Sequence, residues 1–181
     1  LSVFAGGWTL EAAEAIASDK DGMGKMKEES NPIHPSSFIL HPFDVLDLLT
    51  SLVDKSLVVA KPSGPSIRYH LLETVRQYAR DRLLESGEGA TWRDRHLAHF
   101  VALAEEAEPH LSGAEQQEWL KRLDSEYDNL RAALETAAQG QDGDDSGVRL
   151  FGAIWRYWST RGFLAEGRSL CNAVIHCSGS Q

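Results

Sequence analysis

The chain has 181 residues, 42% of them hydrophobic and 25% charged, which is enough for one domain or two small ones around a buried core. Its formal net charge of −9 opposes general affinity for nucleic acid or an anionic membrane surface, because both need Lys and Arg to displace counterions. No apolar run reaches the length of a membrane span, and Leu1-Ser-Val-Phe4 lacks the charged leader of a signal peptide.

The chain opens on Leu within an apolar pattern and is expected to be a portion of a longer protein. Thr9-Leu-Glu-Ala-Ala-Glu-Ala-Ile16 reads as a short helix. Thr9 can accept from a free amide of the first turn, and Glu11 suits the positive end of the dipole. From Ser18 to Pro42 the pattern breaks. Pro32, Pro35 and Pro42 forbid a continuous helix, and the segment is expected to be an inserted surface loop.

Val45 to Lys55 is the next helix, with Leu46, Leu49 and Val53 on one stripe and Leu48 and Leu52 widening it. Leu57 to Ala60 and Ile67 to His70 are short strands, separated by the turn-rich Lys61-Pro-Ser-Gly-Pro-Ser66. Leu72, Val75, Ala79 and Leu83 then form a helical stripe that ends before Gly87. Helix, hairpin and helix in this order predict a winged helix.

Trp92 to Glu108 is a further helix with Leu97, Phe100, Val101 and Ala104 facing inward. Ser112-Gly-Ala-Glu115 has capping-box spacing. It predicts one helix carrying Leu120, Leu123, Tyr127, Leu130 and Leu134, packed antiparallel to its predecessor. Gln139 to Gly147 is a polar linker. Val148 to Arg161 and Leu164 to Cys177 form a last helix pair joined at Gly162, a residue that accepts the left-handed conformation cheaply.

The expected fold is mainly α. A winged-helix domain spans 1–87 with an inserted loop at 18–42, followed by a helical hairpin at 88–139, a linker at 140–147 and a helix pair at 148–181. In that pair Phe151, Ile154, Trp158 and Gly162 fall where a tetratricopeptide unit has large, large, aromatic and glycine residues, so it resembles one such repeat. Trp155 and Val174 depart from the small residues usual there.

Few residues suggest chemistry. Gly22-Met-Gly-Lys-Met26 lacks both the early glycine and the final hydroxyl of a phosphate loop. His96 and His99 share a helical face, but nothing fixes a third metal ligand, so a solvated or half-buried pair is expected. Cys171 and Cys177 have neither redox nor zinc spacing and read as packed free thiols of a cytoplasmic protein. The carboxylate pairs Glu105–Glu106 and Glu126–Asp128 read as solvated faces. No catalytic residue, cofactor or metal site is expected.

Two runs, Val45-Leu-Asp-Leu-Leu-Thr-Ser-Leu-Val-Asp-Lys-Ser-Leu-Val58 and Tyr69-His-Leu-Leu-Glu-Thr-Val-Arg-Gln-Tyr-Ala-Arg80, carry a family resemblance. With Leu1 to Glu14 and Asn129-Leu-Arg-Ala-Ala-Leu134, they resemble the region that follows the nucleotide-binding domain in STAND-type (NB-ARC-like) bacterial ATPases and transcriptional regulators. The resemblance implies a non-catalytic segment that couples nucleotide state to a repeat sensor. Its partners would be the parent's nucleotide-binding domain and further repeats or a protein. A Met-His-Asp triplet of related switches falls on Leu71-Leu72-Glu73, so Leu72 replaces the histidine. Leu72, Glu73 and Arg76 are the candidate interdomain contact. The alternative is an autonomous DNA-binding winged-helix regulator. Asp44, Asp47 and Asp54 against a single Lys55 oppose it, because that face would repel phosphates.

Overall fold

The computed structural model describes residues 1–17, 42–64, 66–140 and 145–178. The expected insertion, with Gly22 to Met26 and the His34 and His41 elements, lies outside the described residues except for Pro42. Among the described residues the protein is mainly α, with eight helices and one two-stranded antiparallel hairpin. The chain divides into two compact units, Trp8–Leu72 and a larger one formed by Leu1–Gly7 with Glu73–Gln181.

In the smaller unit α1 spans Leu10–Ala17, α2 Pro42–Asp54, β1 Val58–Ser63 and β2 Ser66–Leu71. Thr9 Oγ1 accepts from the Ala12 N–H at 3.2 Å, the cap that the sequence implies. α2 begins at Pro42, earlier than expected, because a proline in the first turn forfeits an N–H that has no helical partner anyway. Its end is a Schellman turn. The Ser56 N–H bonds to Val53 O at 2.8 Å and the Leu57 N–H to Leu52 O at 2.9 Å, with Ser56 left-handed at φ 56°. The strands pair Val58 with Leu71 through Ser63 with Ser66, longer than expected, and Pro62 is tolerated in a ladder with only one neighbour. Trp8 adds a bridge to β2, exchanging two main-chain bonds with Tyr69 at 2.9 and 2.7 Å. Its ring is buried and stacks along Tyr69. α1 packs on α2 and β2, and α2 on β1, around Ala13, Ile16, Leu49 and Val58.

The larger unit contains α3 (Glu73–Glu85), α4 (Gly89–Ala107), a 3₁₀ turn (Glu108–Leu111), α5 (Gln116–Ser125), α6 (Tyr127–Ala137), α7 (Ser146–Arg161) and α8 (Leu164–Ser178). α4 packs on α6 and α7, and α8 packs on α7. Phe100, Ala104, Leu111, Leu123, Leu134, Leu150, Ile154 and Tyr157 are sealed from solvent between them. Charged bonds tie the helices at the rim. Arg149 clasps Glu105 with two bonds of 2.8 and 2.9 Å, and Asp124 accepts from Tyr157 and Arg161.

Two expectations are corrected here. The single helix carrying Leu120 to Leu134 is two, α5 and α6, broken at Glu126, whose φ of −102° and ψ of 6° leave the helical region. Glu126 is 7% exposed, and its carboxylate accepts from Asn129 Nδ2 at 2.8 Å, which stabilises the break. The Ser112–Glu115 capping box does not form either. Glu115 starts α5 without a side-chain cap and pairs instead with His110 Nδ1.

Asn129 also fixes the N-terminal segment. It is fully buried. Its Oδ1 accepts from the Ala5 and Gly6 N–H groups at 2.8 and 3.4 Å, and its Nδ2 donates to Gly7 O at 2.8 Å. Gly6 lies so close to α6 that a Cβ there would come within 2.9 Å of the Asp128 side chain.

Asn129→Ala would leave the Ala5 and Gly6 N–H groups, the buried Gly7 O and Glu126 without this partner. It should cost about 3 kcal/mol in urea unfolding. The two glycines of the last helix pair should respond in opposite directions. A Cβ at Gly167 would sit inside the Trp158 ring, within 2.9 Å of its Cζ3, so Gly167→Ala should destabilise by about 1–3 kcal/mol. Gly152 is exposed in α7 with no atom near its Cβ position, so Gly152→Ala should stabilise by about 0.5–1 kcal/mol.

Candidate functional site

α2 has a divided surface. Val45 and Leu49 point into the core, while Asp44, Asp47 and Asp54 are exposed. Leu46 and Leu48 are also exposed, at 42% and 46%. The stripe read from the sequence put Leu46 inward and used Leu48 to widen it. In the fold Leu49 is buried and Leu52 and Val53 half-buried, while Leu46 and Leu48 are left uncovered. The surface that a winged helix would offer to a ligand is therefore acidic and apolar.

The three candidate contact residues straddle the boundary between the units. Leu72 ends the smaller unit and is exposed. Glu73 and Arg76 lie in the first turn of α3 and form a two-bond ion pair, with Arg76 Nε and Nη2 donating to Glu73 at 2.9 and 2.8 Å. The hydrogen bond from Arg76 holds the Glu73 carboxyl below its usual range. Arg82 pairs in the same way with Glu85, and Gln77 bonds to Asp81.

α3 has no fully buried residue. Val75, Ala79 and Leu83, its apolar stripe, are half-buried. Beneath α3 in the larger unit lies a cavity of about 260 Å³. Ser2, Val3 and Ala5 of the N-terminal segment form one wall, and Arg76, Arg80, Leu83 and Leu84 of α3 another. Arg93 and His96 of α4 and Glu135 and Thr136 of α6 complete it. Three arginines and one glutamate therefore line it, and the Glu135 carboxylate accepts from Arg131 Nε at 3.1 Å.

His96 is the site residue whose setting the sequence misjudged. It is 2% exposed, not solvated or half-buried. Its ring lies edge-on to Phe4 and 4.6 Å from Phe100, and its Nε2 is buried with no hydrogen-bond partner among the described residues. Burial drives its pKa down to about 4, against a smaller opposing pull from the Asn129 side chain. His99 is half-buried with its edge on Phe100. A signal for the burial was present: His96, Phe100, Leu103 and Ala107 recur at helical spacing and are all buried.

Other candidates are placed as follows. Cys171 is a half-buried free thiol, and the side chain of Cys177 lies outside the described residues. Glu105 and Glu106 are exposed on α4 and pair with Arg149 and Arg122. Among the described residues no cluster of His, Cys, Asp and Glu could hold a metal ion, and no helix is long and apolar enough to cross a membrane.

The chain is similar to proteins of Mycobacterium bovis and Mycobacterium tuberculosis that bear the name "Putative HTH-type transcriptional regulator". It is 36% identical to each over 175 residues, which covers 97% of this chain and 18% of the relative. A Mycobacterium tuberculosis relative named only as an uncharacterized protein is 35% identical over 101 residues, 55% of this chain and 21% of its own length. The chain thus spans about a fifth of the length of these relatives. No protein-family model and no solved structure matches it.

The buried imidazole makes stability depend on pH. In the unfolded chain His96 takes its proton near the ordinary value of about 6.5, whereas in the fold it stays neutral to about 4. Between these values the unfolded state binds more protons, so stability falls as pH falls. The loss should approach about 3 kcal/mol by pH ~4. His96→Leu should remove that component of the pH profile in urea unfolding followed from neutral to acid pH.

Proposed function

We propose that the chain is a regulatory, protein-docking segment of a larger transcription regulator, and that its parent is a STAND-type switch. In this reading the smaller unit with α3 acts as a winged helix. Leu72, Glu73 and Arg76 contact the parent's nucleotide-binding domain. The α7–α8 pair is a tetratricopeptide-like unit that leads into a repeat sensor or meets a protein partner. The segment itself performs no catalysis and works in the cytoplasm. Support comes from the regulator names of the mycobacterial relatives, of which the chain matches only about a fifth. It comes also from the tight approach of Gly167 to Trp158 across the Gly162 turn, the kind of contact a helical repeat needs.

The observation that carries the docking role is the surface of α2. Exposed Leu46 and Leu48 are flanked by Asp44, Asp47 and Asp54. Apolar side chains ringed by acids suit a protein with an apolar, basic face. They do not suit DNA, whose affinity comes from phosphate neutralisation.

A second reading, direct DNA binding by this segment, is favoured by the helix-turn-helix name of the relatives. Fluorescence anisotropy with a library of labelled duplexes separates the two. At about 150 mM salt no sequence-dependent binding is expected. A sequence-dependent complex that survives that salt, and that is lost on substituting exposed residues of α2, would establish the second reading.

A further inference from the structure

We infer that the cavity beneath α3 binds a small phosphate-class oxyanion, either free phosphate or a compact phosphomonoester, held between Arg80 and Arg93 with Arg76 at its edge. The inference goes beyond the regulatory reading and does not depend on it.

Charge comes first. The chain as a whole is acidic, at −9, yet this one concavity has three guanidiniums on its walls. Acidic side chains neutralise most of the arginines nearby: Glu73 holds Arg76, Glu85 holds Arg82 and Glu135 holds Arg131. Arg80 and Arg93 have no hydrogen-bonded or ion-pair partner among the described residues, although Glu135 shares the cavity with them. Two arginines from different helices, α3 and α4, are thus left to share one space. Such an arrangement is repulsive until an anion enters it.

The chemistry of the donors selects the class of anion. Each guanidinium offers a planar fork of N–H donors that matches two oxygens of a phosphate, and two forks from separate helices can grip a tetrahedral group from two sides. His96 lines the same cavity, but its Nε2 is sealed from solvent, so its ring shapes the wall and the guanidiniums supply the donors. Size sets the upper limit. At about 260 Å³ the space lies below the range of roughly 300–1,000 Å³ for drug-sized ligands, so a phosphate with at most a short substituent fits.

The test uses the whole chain. Calorimetry and thermal unfolding are followed while inorganic phosphate, or separately glycerol phosphate, is added at constant ionic strength. Saturable binding with a rise in Tm is expected for phosphate. Arg80→Gln and Arg93→Gln should each weaken it by about tenfold or more. Both side chains are exposed, so these variants should fold, and circular dichroism would verify it. Arg82→Gln, outside the cavity and paired with Glu85, should bind as the parent does. Equal or tighter binding of glycerol phosphate would identify the ligand as a monoester, and its exclusion would identify free phosphate. The inference is overturned if phosphate shows no saturation by about 10 mM, or if the Arg80→Gln Arg93→Gln double variant binds as tightly as the parent. It is also overturned if a Glu-rich peptide binds in an Arg80- and Arg93-dependent way while phosphate does not. In that case the cavity would receive a protein segment.

Discussion

One buried amide organises the larger unit. Asn129 uses both faces of its side chain, accepting from Ala5 and Gly6 and donating to Gly7 and Glu126. A buried amide is costly when half-satisfied and specific when fully paired. Here it captures a seven-residue strip of irregular backbone that could not otherwise satisfy its N–H and C=O groups away from water. Much else follows from that capture. Phe4 is brought against His96, Gly6 is pressed to α6, and Ser2, Val3 and Ala5 become a wall of the cavity. The same side chain supports the break between α5 and α6, because the carboxylate of Glu126 accepts from it.

Much of the local architecture was legible because it rests on short-range rules. Thr9 caps α1, Gly162 turns left-handed between α7 and α8, and the turn-rich residues after Lys61 give a hairpin. What escaped depends on distant partners. Leu123, Tyr127, Leu130 and Leu134 keep alternating three and four across Glu126, so their periodicity cannot report a break that leaves the buried face continuous. The Ser112–Glu115 spacing is correct for a capping box, yet Glu115 is drawn to His110, which stacks on Trp119. The local rule lost to a nearby side chain.

The candidate site was the least legible part. Its walls come from residues 2–5, 76–84, 93–96 and 132–139, and no spacing rule links segments so far apart. Read along their own helices, some arginines have an acid three residues away and some, such as Arg80 and Arg93, have none at three or four. Arg76 and Arg82 are of the first kind and are paired within α3, with Glu73 and Glu85. Glu73 and Arg80 are seven residues apart, so they share a helical face, but Arg76 lies between them and takes the carboxylate.

Net charge is correspondingly a poor guide to what a particular concavity binds. At physiological ionic strength the field of an exposed charge fades over about 8 Å, so inside the cavity the carboxylate that counts is Glu135 on its own wall, set against three arginines. The sum of −9 weighs against wrapping a polyanion such as DNA, because such a ligand would meet the whole surface. It does not weigh in the same way against a single small anion that meets Arg76, Arg80 and Arg93 with one acid, Glu135, on the wall. The exposed leucines of α2 lie among acids, and Arg80 and Arg93, which have no ion-pair partner among the described residues, line a recess. A partner of α2 is therefore selected for apolar and basic character, while a ligand of the recess is selected for compact negative charge. The two proposed recognition tasks would make opposite electrostatic demands, and the residues proposed for them belong to different units.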